Sequence, residues 1–272
     1  MPTQTNIIDK VYRKLILEIG VDGFGFAVQD TLLNRIELVK TINFDQYSKS
    51  ESIENWYWKA FLENRELTRA YDNVLVLHNN SWNSFVPEPL FDVAFLSSYL
   101  QFSSKVFETD SFAFDVLKNF EMNNVFVPFA NLNNYMLDQF DVFDFRHSSS
   151  VLVEKLLESS KNKLEKQVYV HFRKNIFEIV VAENQKLLLF NSFEIANASD
   201  FIYYLLFTVE QLGLNPEHFE LYFLGNVSKE SDFFEISYRY IRNVSMLDVS
   251  EFQKRNNFDV SQNLKNFILL QS

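Results

Sequence analysis

The chain has 272 residues, 47% of them hydrophobic, with 30 Phe and 12 Tyr against only 5 Gly and 5 Pro. That length suits two compact domains of roughly 100–150 residues, or one large one, and the composition excludes a disordered or linker-rich chain. A net charge of −11 argues against nucleic-acid binding, which rests on Lys and Arg neutralising phosphates, and against an anionic membrane surface. The lack of Cys rules out disulfides, thiolate metal sites and thiol nucleophiles.

The start, Met1 to Asn6, has no basic stretch leading into an apolar core, so no secretory leader is expected. No apolar run is long enough to span a bilayer, so no membrane insertion is expected, and the location read from this is cytoplasmic. The first regular element is a hairpin over Lys14 to Val28. Leu15, Leu17 and Ile19 alternate on one strand, and Phe24, Phe26 and Val28 on the return. Asp22-Gly23 between them predicts a tight type I′ turn, which needs positive φ at both central residues. A third strand, Ile36 to Phe44, follows. Ser48 with Glu51 resembles a capping box, and Ile53, Trp56, Tyr57 and Phe61 share one face of the helix it would open. Val74 to Leu77 is the next strand, so the order is β-β-β-α-β.

The middle of the chain predicts a strand end at Phe85-Val86-Pro87, a helix over Leu90 to Phe102, a strand at Val125 to Pro128 and a helix from about Asn131 to Phe140. A short strand at Phe143 to Arg146 and a helix over Val151 to Ser160, capped by Ser150, follow. The β-β-β-α-β order then recurs. Val168, Val170 and Phe172 alternate, then Phe177, Ile179 and Val181, with Arg173-Lys174-Asn175 at the bend. Leu187 to Phe193 is a third strand. Ser199-Asp200 opens a helix over Phe201 to Leu212, which Gly213 at C′ and Pro216 end. Phe219 to Leu224 is the closing strand. Phe233 to Ile241 reads as a helix, Val244 to Val249 as a strand, and the apolar run Phe267 to Leu270 as a docked strand.

The two series are in step. Phe24 and Phe177 lie 153 positions apart, as do Leu15 and Val168; Tyr57 with Tyr204 and Val74 with Leu221 lie 147 apart. The chain therefore reads as an internal duplication of mixed-sheet α/β type. The expected domains are a first lobe over 1–160, with an inserted segment of about 81–145, and a second over 161–272. The helices carrying Trp56, Tyr57, Trp58 and Phe61, and Phe201 to Leu212, are apolar on several faces and need cover on more than one side. That cover is expected from a seam between the halves, or else from a protein partner.

Three antiparallel strands, a helix and a further strand, made twice, resemble the plan of the actin-like (ribonuclease H-like) ATPase superfamily, which includes sugar kinases, chaperones and the pilus-assembly protein PilM. The stretch Glu18-Ile19-Gly20-Val21-Asp22-Gly23-Phe24-Gly25-Phe26-Ala27-Val28 has the spacing of its first phosphate loop, and Leu224-Gly225-Asn226 stands where its adenosine loop follows the last strand. More closely, the chain resembles family 3822 of domains of unknown function, from Bacteroidetes. It does so at Asp22 to Phe26, Phe85-Val86-Pro87, His147, Asn191-Ser192-Phe193, Asp200 to Leu206 and Gln211-Leu212.

The superfamily resemblance implies an ATP and Mg²⁺ site drawing on Glu18, Gly20, Asp22 and Gly23, with Gly225 and Asn226. The residues depart from it. Such loops cradle phosphates with backbone N–H groups and hydroxyls, yet Val21 and Asp22 stand where Thr hydroxyls are usual, and Asp22 adds negative charge. The second hairpin, His171 to Asn175, has neither Asp nor Gly of a second phosphate loop. The nucleotide site is therefore expected to be degenerate, with no cofactor and no catalytic residue assigned. No metal site is expected either, since His78, His147, His171 and His218 have no ligand spacing. His147-Ser148-Ser149-Ser150 is read as a helix start and not as a nucleophile with its base. The function this supports is a non-catalytic cytoplasmic scaffold or adaptor that binds a protein partner. An ATP-dependent enzyme, or a nucleotide-gated binding module, stays open beside it.

Overall fold

The computed structural model describes residues 10–45, 50–102, 105–107 and 109–272; Ser48 of the expected capping box and the Met1 to Asn6 start lie outside them. In chain order the strands begin with β1 (Arg13–Ile19), β2 (Gly23–Asp30), β3 (Arg35–Asn43) and β4 (Asn73–His78). The middle strands are β5 (Asn83–Pro87), β6 (Ala113–Leu117), β7 (Met122–Phe126) and β8 (Asp144–His147). The last are β9 (Gln167–Phe172), β10 (Ile176–Glu183), β11 (Lys186–Glu194), β12 (Glu220–Gly225) and β13 (Asn243–Met246). Helices are α1 (Ile53–Glu63), α2 (Leu96–Leu100), α3 (Ala130–Phe140), α4 (Ser148–Ser159), α5 (Ala198–Gln211), α6 (Asp232–Tyr238), α7 (Ser250–Gln253), α8 (Val260–Lys265) and α9 (Phe267–Gln271).

The strands form sheets of order β3-β2-β1-β4-β8, β11-β10-β9-β12-β13 and β5-β7-β6. The chain divides into two compact units. One holds Met1–His78 with Phe129–Arg146, the other Asn79–Pro128 with His147–Ser272. In the first unit the alternating Leu15, Leu17, Ile19, Phe24, Phe26 and Val28 all reach one core, closed by Tyr57, Ala60 and Phe61 of α1 and by Leu132 and Met136 of α3. In the second, Val168, Val170, Phe172, Phe177, Ile179 and Val181 pack beneath Phe201, Ile202, Leu205 and Val209 of α5. Burying a side chain such as Phe201 contributes roughly 1.5–3 kcal/mol, and rings at Phe172, Phe177, Phe223 and Phe233 all contact it.

The duplication holds at the level of the rung. Leu15 faces Val28 and Ile19 faces Phe24 across β1–β2; Val168 faces Val181 and Phe172 faces Phe177 across β9–β10. Leu15 lies parallel to Val74, and Val168 to Leu221. Both second strands shift register at the same place, between Val28 and Gln29 and between Val181 and Ala182, so that Glu37 and Leu188 are the extra residues of matching β-bulges. The helices pair differently from the 147-residue spacing of Tyr57 and Tyr204. Tyr57 stacks on Phe24, whereas the ring on Phe177 belongs to Phe201, one turn before Tyr204. Tyr204 stacks instead on Phe193.

Caps explain most helix limits. Asn197 accepts the N–H groups of Ser199 and Asp200 and starts α5. At its end Gly213 is left-handed, and Leu214 N–H reaches Val209 O while Gly213 N–H reaches Glu210 O, a Schellman motif. α1 starts at Ile53 after Ser52, beyond Glu51, which pairs with Lys59. The outward faces of these helices leave Trp58 and Leu62 on α1, and Tyr203 and Phe207 on α5, exposed.

Several expectations are corrected. Phe267 to Leu270 form a helix; all four are buried, and a fully buried apolar run carries no period to separate helix from strand. Leu90 to Phe102 is not one helix, because Asp92 accepts the N–H of Ala94 and restarts the chain as a short turn before α2. β6 was not foreseen. His147, not Ser150, caps α4: its Nδ1 accepts the N–H of Ser149 at 3.1 Å.

Candidate functional site

The first hairpin does not turn at Asp22-Gly23. β1 ends at Ile19 and β2 starts at Gly23, with Gly20, Val21 and Asp22 between them, and Asp22 is not among the positive-φ residues. Gly23 is already paired to Asn43 of β3. A Cβ there would stand 2.3 Å from the Ile42 carbonyl oxygen, so glycine is required by close approach and by its φ of 151°. The Asp22 carbonyl accepts Phe44 N–H at 2.9 Å. Gly20 and Asp22 therefore lie in one loop, flanked by Glu18 within β1 and Gly23 at the start of β2, with Asp22 and Val21 exposed at its tip.

The backbone of Gly20 in that loop is already engaged. The Tyr57 hydroxyl accepts the Gly20 N–H at 3.0 Å and donates to the Gly20 carbonyl at 2.9 Å. Tyr57 is wholly buried, and burial pushes its phenol above the ordinary value. At the end of β4, His78 is also buried. Its Nδ1 accepts Phe129 N–H and its Nε2 lies 3.0 Å from Asn133 Oδ1. Burial pushes the ring down to about 4, against a smaller opposing effect of Asn133, so this imidazole is neutral near pH 7.

In the second unit Gly225 ends β12 and Asn226 follows it, exposed. Gly225 has φ 89°, and a Cβ there would sit 2.3 Å from the Phe172 carbonyl oxygen and 2.7 Å from its nitrogen. Asn226 N–H donates to Phe172 O at 2.8 Å. The glycine is thus held by contact with the second hairpin, and the N–H after it is spent on that hairpin.

Beside this hairpin lies a buried polar cluster that the sequence did not announce. Glu178 of β10 faces His171 of β9 across one rung. It is 3% exposed. Its Oε2 accepts from His171 Nδ1 at 2.8 Å and from Arg173 Nε at 3.1 Å, and its Oε1 accepts the Ser149 hydroxyl at 2.8 Å. Burial pushes the carboxyl up, but the Arg173 guanidinium and His171 outweigh it and hold Glu178 well below the ordinary carboxylate range. Arg173 also donates to Ser148 Oγ at 3.1 Å. Asp115 of β6 accepts His147 N–H at 2.8 Å and the Ser150 hydroxyl, and Asn124 of β7 donates to Ser150 Oγ. The serine run is therefore the first turn of α4, tied to two carboxylates.

The hydrogen bonds of this arrangement are those of a helix start. The nitrogens of His147 are directed to Ser149 N–H and, at 3.4 Å, to Asn80 Oδ1, and the hydroxyls of Ser149 and Ser150 donate straight to carboxylates. An activated serine needs a base of matched pKa, oriented by a third group. Glu178, held ionised by Arg173 and His171, is a weak base. Among the described residues no three His, Asp or Glu side chains are grouped as a metal would require. One sequence signal did point here: Glu178 stands alone in the apolar run Ile176 to Ala182. A charge there, opposite a His on the facing strand, marks a buried pair.

A groove of about 490 Å³ lies elsewhere in the second unit, between β11 and β5, lined by Ser84, Phe85, Met122, Leu189, Phe190 and Ser192 among others.

No curated protein matches the chain. Among solved structures, a protein from Bacteroides thetaiotaomicron, described as having an actin-like ATPase fold and unknown function, is 22% identical over 96% of each chain with a TM-score of 0.79. A PilM–PilN type IV pilus biogenesis complex matches with 13% identity over 94% of this chain and 96% of the other, at a TM-score of 0.58. The fold is therefore the actin-like ATPase fold, built from two copies of β-β-β-α-β. The family model described as a protein of unknown function, DUF3822, covers residues 2–244, and the chain belongs to that family.

Proposed function

We propose that this protein is a non-catalytic cytoplasmic adaptor, an actin-like fold whose nucleotide site has degenerated and which works by binding a protein partner. The observation that carries the reading is the engagement of Gly20 by Tyr57. A backbone N–H that donates to a buried phenol is not available to a phosphate, and anion cradles depend on free N–H groups. Asn226 N–H, spent on Phe172, and the exposed carboxylate of Asp22 support the same conclusion. On this reading Glu18, Gly20, Asp22, Gly23, Gly225 and Asn226 keep the spacing of a nucleotide site and serve the fold. PilM, which shares the fold, is found in complex with PilN, which supports a protein partner here. No helix of the described chain is long and apolar enough to cross a membrane.

The test is thermal unfolding with and without Mg-ATP and Mg-ADP at millimolar concentration. The adaptor reading expects the melting temperature to stay where it is. Ligand at a hundred times its Kd adds about 2.7 kcal/mol, so a clear rise with either nucleotide would overturn it in favour of an ATP-dependent enzyme or a nucleotide-gated module.

A further inference from the structure

We propose that the free rim of β11 is a strand-addition site that takes an extended, uncharged peptide segment of a partner protein. The proposal rests on the adaptor reading and gives the partner a shape.

β11 is the outermost strand of its sheet, with β10 on one side only. After the bulge at Leu188 its rim runs straight from Leu189 to Glu194, about 20 Å at roughly 3.3 Å per residue. Across the groove stands β5, also the outer strand of its own sheet. The Phe85 and Phe190 rings meet edge-to-face at 4.9 Å, so the two walls touch there, and a groove lies between them. A strand rim presents alternating N–H and C=O groups that only another extended backbone can match in register. One of them is satisfied by a stand-in: Ser192 N–H donates at 2.8 Å to the side chain of its exposed neighbour Asn191. A side chain holding a rim N–H can swing aside when a peptide carbonyl arrives.

Charge decides the occupant. Among the described residues lining the groove only Glu194 is charged, and it stands at the end of the strand. A phosphate, nucleotide or charged peptide would lose its hydration with no counter-charge to meet; an uncharged segment would not. The first copy of the fold gives the control. Lys40 of β3 lies three residues past the bulge at Glu37, and Asn191 lies three past the bulge at Leu188. A lysine on an outer strand deters pairing. The second copy lacks that guard at the matching position, on the rim that borders a groove.

The experiment is selection of phage-displayed dodecapeptides on the full chain, followed by amide hydrogen exchange and affinity measurement with the selected peptides. The expected peptides are uncharged and rich in β-branched and aromatic residues, and they protect amides within 189–194. N-methylation along the peptide weakens binding with a period of two, because only one set of N–H groups faces β11. Asn191→Lys, which copies the guard of β3 at an exposed position, and Ser192→Pro, which deletes a rim N–H, each weaken binding by about tenfold or more. Failure to select any peptide, protection confined to other surfaces, or indifference to N-methylation and to Asn191→Lys would each overturn the proposal. Peptides bound elsewhere would leave the adaptor reading standing. A nucleotide-driven rise in melting temperature would remove that reading whatever the peptides did.

Discussion

Tyr57 holds Gly20 by both of its backbone polar atoms, taking the N–H and returning the hydroxyl proton to the carbonyl. The pair joins the middle of α1 to the end of β1 inside a core where neither group can find water. Gly20 is thereby fixed at a packed corner of the core, with Val21 and Asp22 exposed beyond it.

Tyr57→Phe strands the Gly20 N–H and C=O in that core. Leaving a buried polar group unsatisfied costs about 1–3 kcal/mol, and urea unfolding should show a loss in this range. Tyr169 gives the contrast. Its hydroxyl is buried and, among the described residues, has no hydrogen-bond partner. Tyr169→Phe should leave stability unchanged or raise it by up to about 1 kcal/mol. Equal losses in the two variants would contradict the structure.

Glu178→Gln removes the charge that Arg173 and His171 both address while nearly keeping the shape. Breaking a buried ion pair on one side costs about 3–5 kcal/mol; Arg173 is partly exposed, so the lower end is expected. Replacing Glu178 and Arg173 together should cost less than the single change, since no unpaired buried charge remains. A double variant weaker than Glu178→Gln would show that the ion pair is not what holds the hairpin.

Acid should weaken the fold in two stages. The buried ring of His78 has its folded pKa pushed down to about 4 from 6.5. Below pH 6.5 the unfolded chain takes up a proton that the folded ring refuses. Stability is therefore full above 6.5 and declines as pH falls toward 4, by about 3 kcal/mol in all. Glu178 acts in the same direction at lower pH. Its folded carboxyl stays ionised when the unfolded one, near 4.5, protonates, so its contribution is present above 4.5 and is lost below. Denaturation midpoints measured from pH 7.5 to 4 should fall through this window; a flat profile would count against a neutral buried His78.

The two left-handed glycines should respond unequally to alanine. Gly213, φ 60°, has open space where a Cβ would go, and Gly213→Ala should cost about 1 kcal/mol from backbone strain alone. Gly225→Ala drives a methyl into the Phe172 backbone and should cost well over about 2 kcal/mol. Thermal melts of the two variants check the order.

The hairpins were legible because Leu15-Leu17-Ile19 and Val168-Val170-Phe172 alternate cleanly, and alternation is what a one-faced core imposes on a strand. α5 was legible from its polar start and from Gly213. The buried cluster was not. Glu178 stands alone among apolar residues, which marks it as buried, but its partners Arg173, His171 and Ser149 meet it only through strand pairing and the packing of α4, which local pattern does not carry. Ser148 to Ser150 read only as a helix start, because the carboxylates that two of them meet, Asp115 and Glu178, are distant in sequence. Asp22-Gly23 misled because the dipeptide fits a two-residue turn, whereas the close pass of β3 over Gly23, and not turn geometry, is what demands the glycine. Phe267 to Leu270 had no polar face from which a period could be read.

The matching extra residues Glu37 and Leu188 sit at the same rung of the two sheets. They differ in chemistry, one charged and one apolar, so the bulge belongs to the backbone register and not to either side chain. An extra residue bends its strand and tightens the local twist. Each outer strand is therefore turned partway along its length, and a backbone approaching either rim meets a straight run only beyond the bulge.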